Sequence, residues 1–238
     1  MKEVLNIIQT RQSARIPFDS ERPVAKEDLR QILEAGRWAP TAHNMQNFEI
    51  IVVDDKKLLE AIGNIKSTVS ETFIRENYQQ LSFSEEELMK KKVGILGTQF
   101  PPAWRTPGYK PDKDTDFGRP MQKSPILLVV VYDPDRRAPA SEGDFLGIVS
   151  LGCLMENMWL MANSLGISFH VVSGVGTAPV EKEVKKILNV PDRLKIPFAF
   201  RLGYPVAPPA KFLRVRRDIE DFTHHNRYGD RNLDEKKL

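Results

Sequence analysis

Residues 125–132 read PILLVVVY, seven β-favouring apolar residues in unbroken succession behind a proline. A strand that alternates apolar with polar residues can face water on one side, whereas one that never alternates has to be covered on both. The run therefore predicts the centre of a sheet with a layer packed above it and another below. A second constraint follows downstream. Phe145, Ile148, Val149, Gly152, Met155, Trp159, Ala162 and Leu165 recur at helical spacing, and Leu151, Leu154 and Met158 carry apolar character around the cylinder. Such a helix is expected to be buried nearly all round, either inside its own chain or against a second subunit.

The other elements arrange themselves around these two. Val4, Leu5 and Ile8, and then Leu29, Ile32, Leu33 and Gly36, fall at helical spacing and predict two helices, each with one face on a core. FEIIVV at residues 48–53 reads as the first strand, and Asp54-Asp55 starts a helix carrying Leu58, Leu59, Ile62 and Ile65. Ser84 and Glu87 stand at capping-box spacing ahead of Leu88 and Met89, which predicts a helix running into three lysines. Residues 167–172 and 196–201 read as strands, and residues 179–189 as a helix with Val184, Ile187 and Leu188 inward. Between residues 97 and 122 lie Pro101, Pro102, Pro107, Pro111 and Pro120, three glycines and no periodicity, so this stretch reads as a lid or substrate loop. No repeat and no Gly/Ser linker divides the chain. Strands separated by helices predict an α/β or α+β fold with a mixed central sheet, a single domain over residues 1–238 whose residues 205–238 form a C-terminal arm.

Composition excludes several classes of function. Lys and Arg number 35 against 32 Asp and Glu, a net charge of +3, too small for bulk attraction to nucleic acid or an anionic membrane. With 41% hydrophobic residues the chain is not predominantly disordered. The one cysteine, Cys153, rules out an internal disulfide and a multi-cysteine zinc site, and fits a reducing cytoplasm. MKEVLNIIQTRQSAR has acidic and polar residues within its apolar stretch and does not read as a signal peptide. The longest apolar run is too short to span a bilayer. A soluble cytoplasmic protein with no nucleic-acid or membrane partner is expected.

Three segments carry unusual polar residues at the ends of elements. Arg11, Ser13 and Arg15 alternate just past the first helix, and two planar cationic donors with a hydroxyl between them can converge on one phosphate. In the segment APTAHNMQN, Asn44 and Gln46 each offer a carbonyl acceptor and an amide donor, equipment for reading the polar edge of a flat heterocycle. Lys211, Arg214, Arg216 and Arg217 follow a proline-rich exit with no acid among them. A solvated helix end, a polar turn and a solvated charged face are the plainer readings of these segments taken singly. Asp116-Phe117-Gly118, Gly174-Val-Gly176 and the His224-His225 pair lack the accompanying residues of a kinase, a dinucleotide fingerprint or a metal site, and no metal ligand is assigned.

In order along the chain, RQSAR, LRQILEAGRWAPTAHNMQNFEIIVV, LGCLMENMWLMANSLGI with SGVG behind it, KKILNVPD, FRLGYP, RVRR and HHNRYG resemble the FMN-dependent nitroreductase family over nearly the whole length. The resemblance implies a homodimer with two FMN molecules at the subunit interface and a long buried central helix. It implies that Arg11, Ser13 and Arg15 meet the phosphate and ribityl chain, and that Arg214 and Arg216 close on the phosphate from the other end of the sequence. Pro40, Thr41, Ala42, Asn44 and Gln46 would form the loop under the flavin, and the backbone of Val172, Ser173 and Gly174 would approach its N5 edge. It further implies hydride transfer from NADH or NADPH to flavin N5 and on to a nitroaromatic, quinone or similar acceptor by ping-pong turnover, with no catalytic acid or base. Reductive dehalogenation, enone reduction and flavin binding without turnover are the alternatives. Trp104, Tyr109 and Phe117 are candidates to wall the pocket. Asn47 and Phe48 depart from the proline and tryptophan frequent at these positions in the family.

Overall fold

A computed structural model describes residues 2–68, 86, 89–90, 114–115, 123–207 and 216–231. The chain divides into two compact units, Met1–Thr68 with Asp114–Pro209, and Val69–Lys113 with Ala210–Leu238. In the first unit the elements run α1 (Lys2–Thr10), α2 (Lys26–Arg37), β1 (Phe48–Val53), α3 (Lys56–Gly63), β2 (Ser67–Thr68), β3 (Asp114–Thr115), β4 (Ile126–Tyr132), α4 (Phe145–Ser164), β5 (Ser168–Val172), α5 (Ala178–Leu188) and β6 (Lys195–Gly203). Four strands form one sheet in the order β1, β4, β6, β5, and β2 pairs with β3.

Every residue of β4 is buried, as its unbroken apolar run predicts. Successive side chains point to opposite faces. Ile126, Leu128, Val130 and Tyr132 join a cluster with Ile32 of α2 and Leu151, Leu154 and Met158 of α4. Leu127, Val129 and Val131 meet Leu59 and Ile62 of α3 and Val180 and Val184 of α5. The sheet is thus the middle of three layers, an α+β architecture. Its ladders are antiparallel throughout, and the parallel element among the described residues is a single bridge between Ser13 and Phe169 on the outer edge of β5. The mixed sheet expected from the sequence therefore reduces to that one bridge, because the connections between neighbouring strands reverse direction each time.

Local chemistry accounts for the element ends. The Asp55 carboxylate accepts from the backbone N–H of Lys57 at 2.8 Å and of Leu58 at 3.0 Å, capping α3 as the Asp54-Asp55 turn predicts. Helices α2 and α4 approach closely because Gly36 has no side chain. A Cβ there would lie 2.9 Å from Leu154 Cδ1 and 3.0 Å from Met158 Cγ.

Within one chain helix α4 buries Gly147, Ser150, Leu151, Leu154, Met158 and Ala162, while Phe145, Ile148 and Val149 are 68%, 43% and 48% exposed. The apolar face of α1 also points outward, with Val4 and Leu5 more than half exposed. Helical spacing identifies an apolar face; it does not say whether the same chain covers it. By length and composition α4 is apolar enough to cross a membrane, yet its inner face packs against α2 and β5.

The second unit is described in part. Residues 86 and 89–90 are helical, while Ser84 and Glu87 of the expected capping box lie outside the described residues. So does the loop at residues 97–122 apart from Asp114 and Thr115, including Trp104, Tyr109 and Phe117. Near the C-terminus a turn at Ile219–Asp221 is capped reciprocally by Asp218 and Asp221. His224 stacks on Tyr228 at 4.4 Å and accepts the Gly229 N–H at 3.0 Å, a turn contact rather than a metal site.

Candidate functional site

Past Thr10 the chain leaves α1 and runs along the free edge of β5, where the Ala14 N–H donates to Phe169 O at 2.9 Å. Ala14 is buried in the core, so alternation turns Ser13 and Arg15 to the opposite side. Arg11 Nε donates to Glu156 Oε1 of α4 at 2.7 Å, and the guanidinium lies 4.7 Å over the Trp159 ring, which stacks on Phe169. Arg11 is held on two sides before any ligand arrives. Between the two arginines, Ser13 Oγ is buried and has no hydrogen-bond partner among the described residues. A buried hydroxyl left so costs about 1–3 kcal/mol, and a ligand oxygen would remove that cost.

Of the four cations expected around the phosphate, the structure sets Arg11 and Arg15 on this one segment. Arg216 is exposed and belongs to the second unit, and Arg214 lies outside the described residues.

The loop expected under the flavin is a tight turn before β1. His43, Asn44 and Gln46 all have positive φ, at 50°, 53° and 44°. Outside glycine this backbone is uncommon and costs of the order of 1 kcal/mol or more for a residue such as Gln46. Short hydrogen bonds hold it: Asn44 N–H to Thr41 O at 2.9 Å, Gln46 N–H to Thr41 Oγ1 at 3.2 Å and Ala42 N–H to Ser150 Oγ of α4 at 3.1 Å. The Gln46 amide donates to Asn44 Oδ1 at 3.0 Å. The two amides proposed from sequence to read a ligand therefore fix each other.

Pro40, Thr41, Asn44 and Gln46 line a cavity of about 460 Å³ together with Arg37 and Trp38. Sequence reasoning missed the last two. Trp38 is 73% exposed, and its indole N–H donates to Glu34 at 2.8 Å while Arg37 pairs with the same carboxylate. These two donated hydrogen bonds hold the Glu34 carboxyl below its ordinary range. Asn47 turns away from the cavity, buried with its Nδ2 2.9 Å from where a Gly147 Cβ would stand, and Phe48 packs on the core as the first residue of β1. Phe48 is thus taken up by the core, whereas Asn47 is buried with its Oδ1 lacking a hydrogen-bond partner among the described residues.

At the end of β5, Val172 is buried, Ser173 is exposed and Gly174 O accepts from Thr177 Oγ1 at 2.8 Å. The glycine that the packing requires is Gly176, where a Cβ would lie 2.7 Å from Ile196 O.

Behind the segment sits a group that sequence reasoning overlooked. Arg201 of β6 is fully buried and makes no ion pair among the described residues. Its Nε donates to Ser124 Oγ at 2.8 Å, Nη1 to His170 Nδ1 at 3.0 Å and Nη2 to Ile16 O at 3.1 Å, and the guanidinium lies 4.5 Å over Phe18. Burial lowers the Arg201 pKa to about 10. Burial, then the charges of Arg201 and Arg15, push His170 down to about 3, so the imidazole is neutral and accepts through Nδ1. The visible signal was an arginine inside the apolar run FAFRLG.

The candidate residues gather in two places. The loop at 40–46 adjoins β1, and residues 11–15 and 172–174 adjoin β5, the opposite edge of the sheet. Three inter-strand steps of about 4.8 Å put these edges roughly 14 Å apart. Both groups also touch α4, at Ser150 and at Glu156. Six residues along a helix turn it through about 600°, which leaves those contacts on different sides of the cylinder, about 9 Å apart along its axis.

Comparison with known proteins agrees with this architecture. An iodotyrosine deiodinase of Thermotoga neapolitana is 26% identical over 218 residues, covering 90% of this chain and 95% of its own. An NADPH-dependent oxidoreductase of Staphylococcus aureus is 22% identical, covering 95% of this chain and 74% of its own. A Bacteroides fragilis nitroreductase crystallised with bound FMN superposes with a TM-score of 0.57 at 22% identity, over 94% of this chain and 98% of its own. The Nitroreductase family profile matches residues 8–204, and the chain belongs to that family.

Proposed function

We propose that the protein is an FMN-dependent oxidoreductase whose flavin sites each draw on two copies of the chain. The observation that carries the reading is the segment at residues 11–15, where, among the described residues, the buried Ser13 Oγ lacks a partner between two arginines. That donor set fits a phosphate ester: one cation held in place at Arg11, a second at Arg15 and one neutral hydroxyl between them. Arg11 and Arg15, with Arg214 and Arg216 from the C-terminal side, would hold the phosphate, and Ser13 the phosphate or ribityl oxygens. The cavity walled by Pro40, Thr41, Asn44 and Gln46, with Ala42 in the same loop, would take the ring system, its width kept by the hydrogen bonds that brace the loop.

These groups stand at opposite edges of one sheet, and α4 exposes Phe145, Ile148 and Val149. A homodimer related by a two-fold axis would cover that apolar face and bring the loop at 40–46 of one copy toward residues 11–15 and 172–174 of the other. FMN held there would supply two-electron redox chemistry between NADH or NADPH and a nitroaromatic, quinone or similar acceptor. The chain's own part is to anchor the phosphate, exclude water and present the backbone of Val172, Ser173 and Gly174 to the ring edge. No side chain is assigned as acid or base.

Reductive dehalogenation of a halogenated phenol is the second reading, favoured by the likeness to the Thermotoga deiodinase. The test is the absorption spectrum of the purified protein, then anaerobic titration with NADH and NADPH and turnover on a nitroaromatic, a quinone and 3-iodotyrosine. Bleaching by a nucleotide with reoxidation by nitro compound or quinone is expected. Turnover confined to iodotyrosine selects the second reading. A yellow protein that neither nucleotide bleaches overturns both in favour of flavin binding without turnover.

A further inference from the structure

We infer that Arg201, through His170 and Ser124, is the positioning residue that sets the phosphate-binding segment in place before the cofactor arrives. This rests on the proposed FMN site. Arg201 is the one fully buried charged side chain among the described residues, and every acceptor it uses is neutral. Its fork joins three stretches of chain that share no ladder: Ile16 beyond β5's edge, Ser124 ahead of β4, and His170 within β5. Ile16 follows Arg15 directly, so the carbonyl that Arg201 grips is the next anchor after the bond from Ala14 N–H to Phe169 O.

An apolar residue at 201 would leave Ile16 O and Ser124 Oγ without this donor, and a lysine could not reach acceptors spread over three directions in one plane. The planar fork fixes where residues 14–16 cross the sheet edge, and thereby where Ser13 and Arg15 stand. Arg201 itself lies behind the segment in the core and acts through it. His170 is part of the device: a ring accepting at Nδ1 carries its proton on Nε2, and only the neutral ring accepts from a guanidinium.

The experiment compares His170→Leu, which removes the acceptor, with His170→Gln, whose amide oxygen restores one. FMN dissociation constants are read by flavin fluorescence on the apoprotein, each variant in wild-type and Arg15→Ala backgrounds. His170→Leu is expected to weaken binding about tenfold or more, and His170→Gln less than about threefold. In the Arg15→Ala background the effect of His170→Leu should shrink to less than about threefold, because the contact it misplaces is already gone. Equal effects of Leu and Gln, or full additivity with Arg15→Ala, overturn the inference. If His170→Leu does not fold, Ser124→Ala takes its place, and unaltered FMN binding in Ser124→Ala overturns it equally. A wild-type protein that binds no FMN refutes the proposed function, whereas FMN binding that needs Arg15 yet ignores His170 and Ser124 refutes this inference alone.

Discussion

His170 should make the stability of this protein depend on pH in a window where most histidines are silent. In the unfolded chain an imidazole titrates near its ordinary value of 6.5, and in the fold, shielded and facing Arg201 and Arg15, it titrates near 3. The folded value is depressed, so between these limits the unfolded state binds the extra proton. The stabilising contribution is therefore complete above pH 6.5 and is lost as pH falls toward 3. At pH 4.5 the unfolded chain has protonated this ring about a hundredfold over, which costs the native state roughly 2–3 kcal/mol. Urea unfolding of wild type and His170→Gln at pH 7.5 and 4.5 isolates the term, because every carboxylate is common to both. Wild type should lose roughly 2–3 kcal/mol more than the variant between those two values. Equal losses, or an imidazole resonance titrating near pH 6.5 in the folded protein, would refute the reasoning.

Three other outcomes follow from the packing. Gly176→Ala should destabilise the fold by about 1–3 kcal/mol in urea, since its methyl would press on the backbone oxygen of Ile196 at 2.7 Å, which cannot rotate away. Lys185 and Glu181 pair at 3.1 Å with side chains only 9% and 12% exposed. Glu181→Leu alone should cost about 3–5 kcal/mol, and Glu181→Leu with Lys185→Leu markedly less, because the single change leaves a buried ammonium without its carboxylate, with Asp192 O at 3.3 Å as its remaining acceptor among the described residues. Ile148→Asp, on the exposed face of α4, should give a species of one chain's mass, 27.1 kDa, by light scattering, together with lost flavin. A flavin-loaded dimer in that variant would remove α4 from the proposed interface.

The layers could be read from residues 126–132 because a strand with no polar face has only one kind of place to be. The cap at Asp55 was equally legible, since its chemistry is local. What escaped were features made by distance in sequence. Val4, Leu5 and Ile8 announce a buried face without naming what buries it. Arg201 looks like one residue of an exposed strand end until Ile16, Ser124 and His170 converge on it from three remote positions. Asn44 and Gln46 read in the sequence as donor–acceptor groups for the edge of a flat heterocycle; in the fold the Gln46 amide donates to Asn44 Oδ1, the backbone having φ of 53° and 44° at the two positions.

The separation of the two half-sites by α4 has a genetic consequence. A lesion in residues 11–15 and a lesion in the loop at 40–46 strike different halves of each proposed site. Two inactive chains, one with each lesion, would then assemble a mixed pair in which one site carries both defects and the other carries none. Half of the activity of that pair would return on mixing proteins that are individually dead, an arithmetic that a site built within a single chain could never produce.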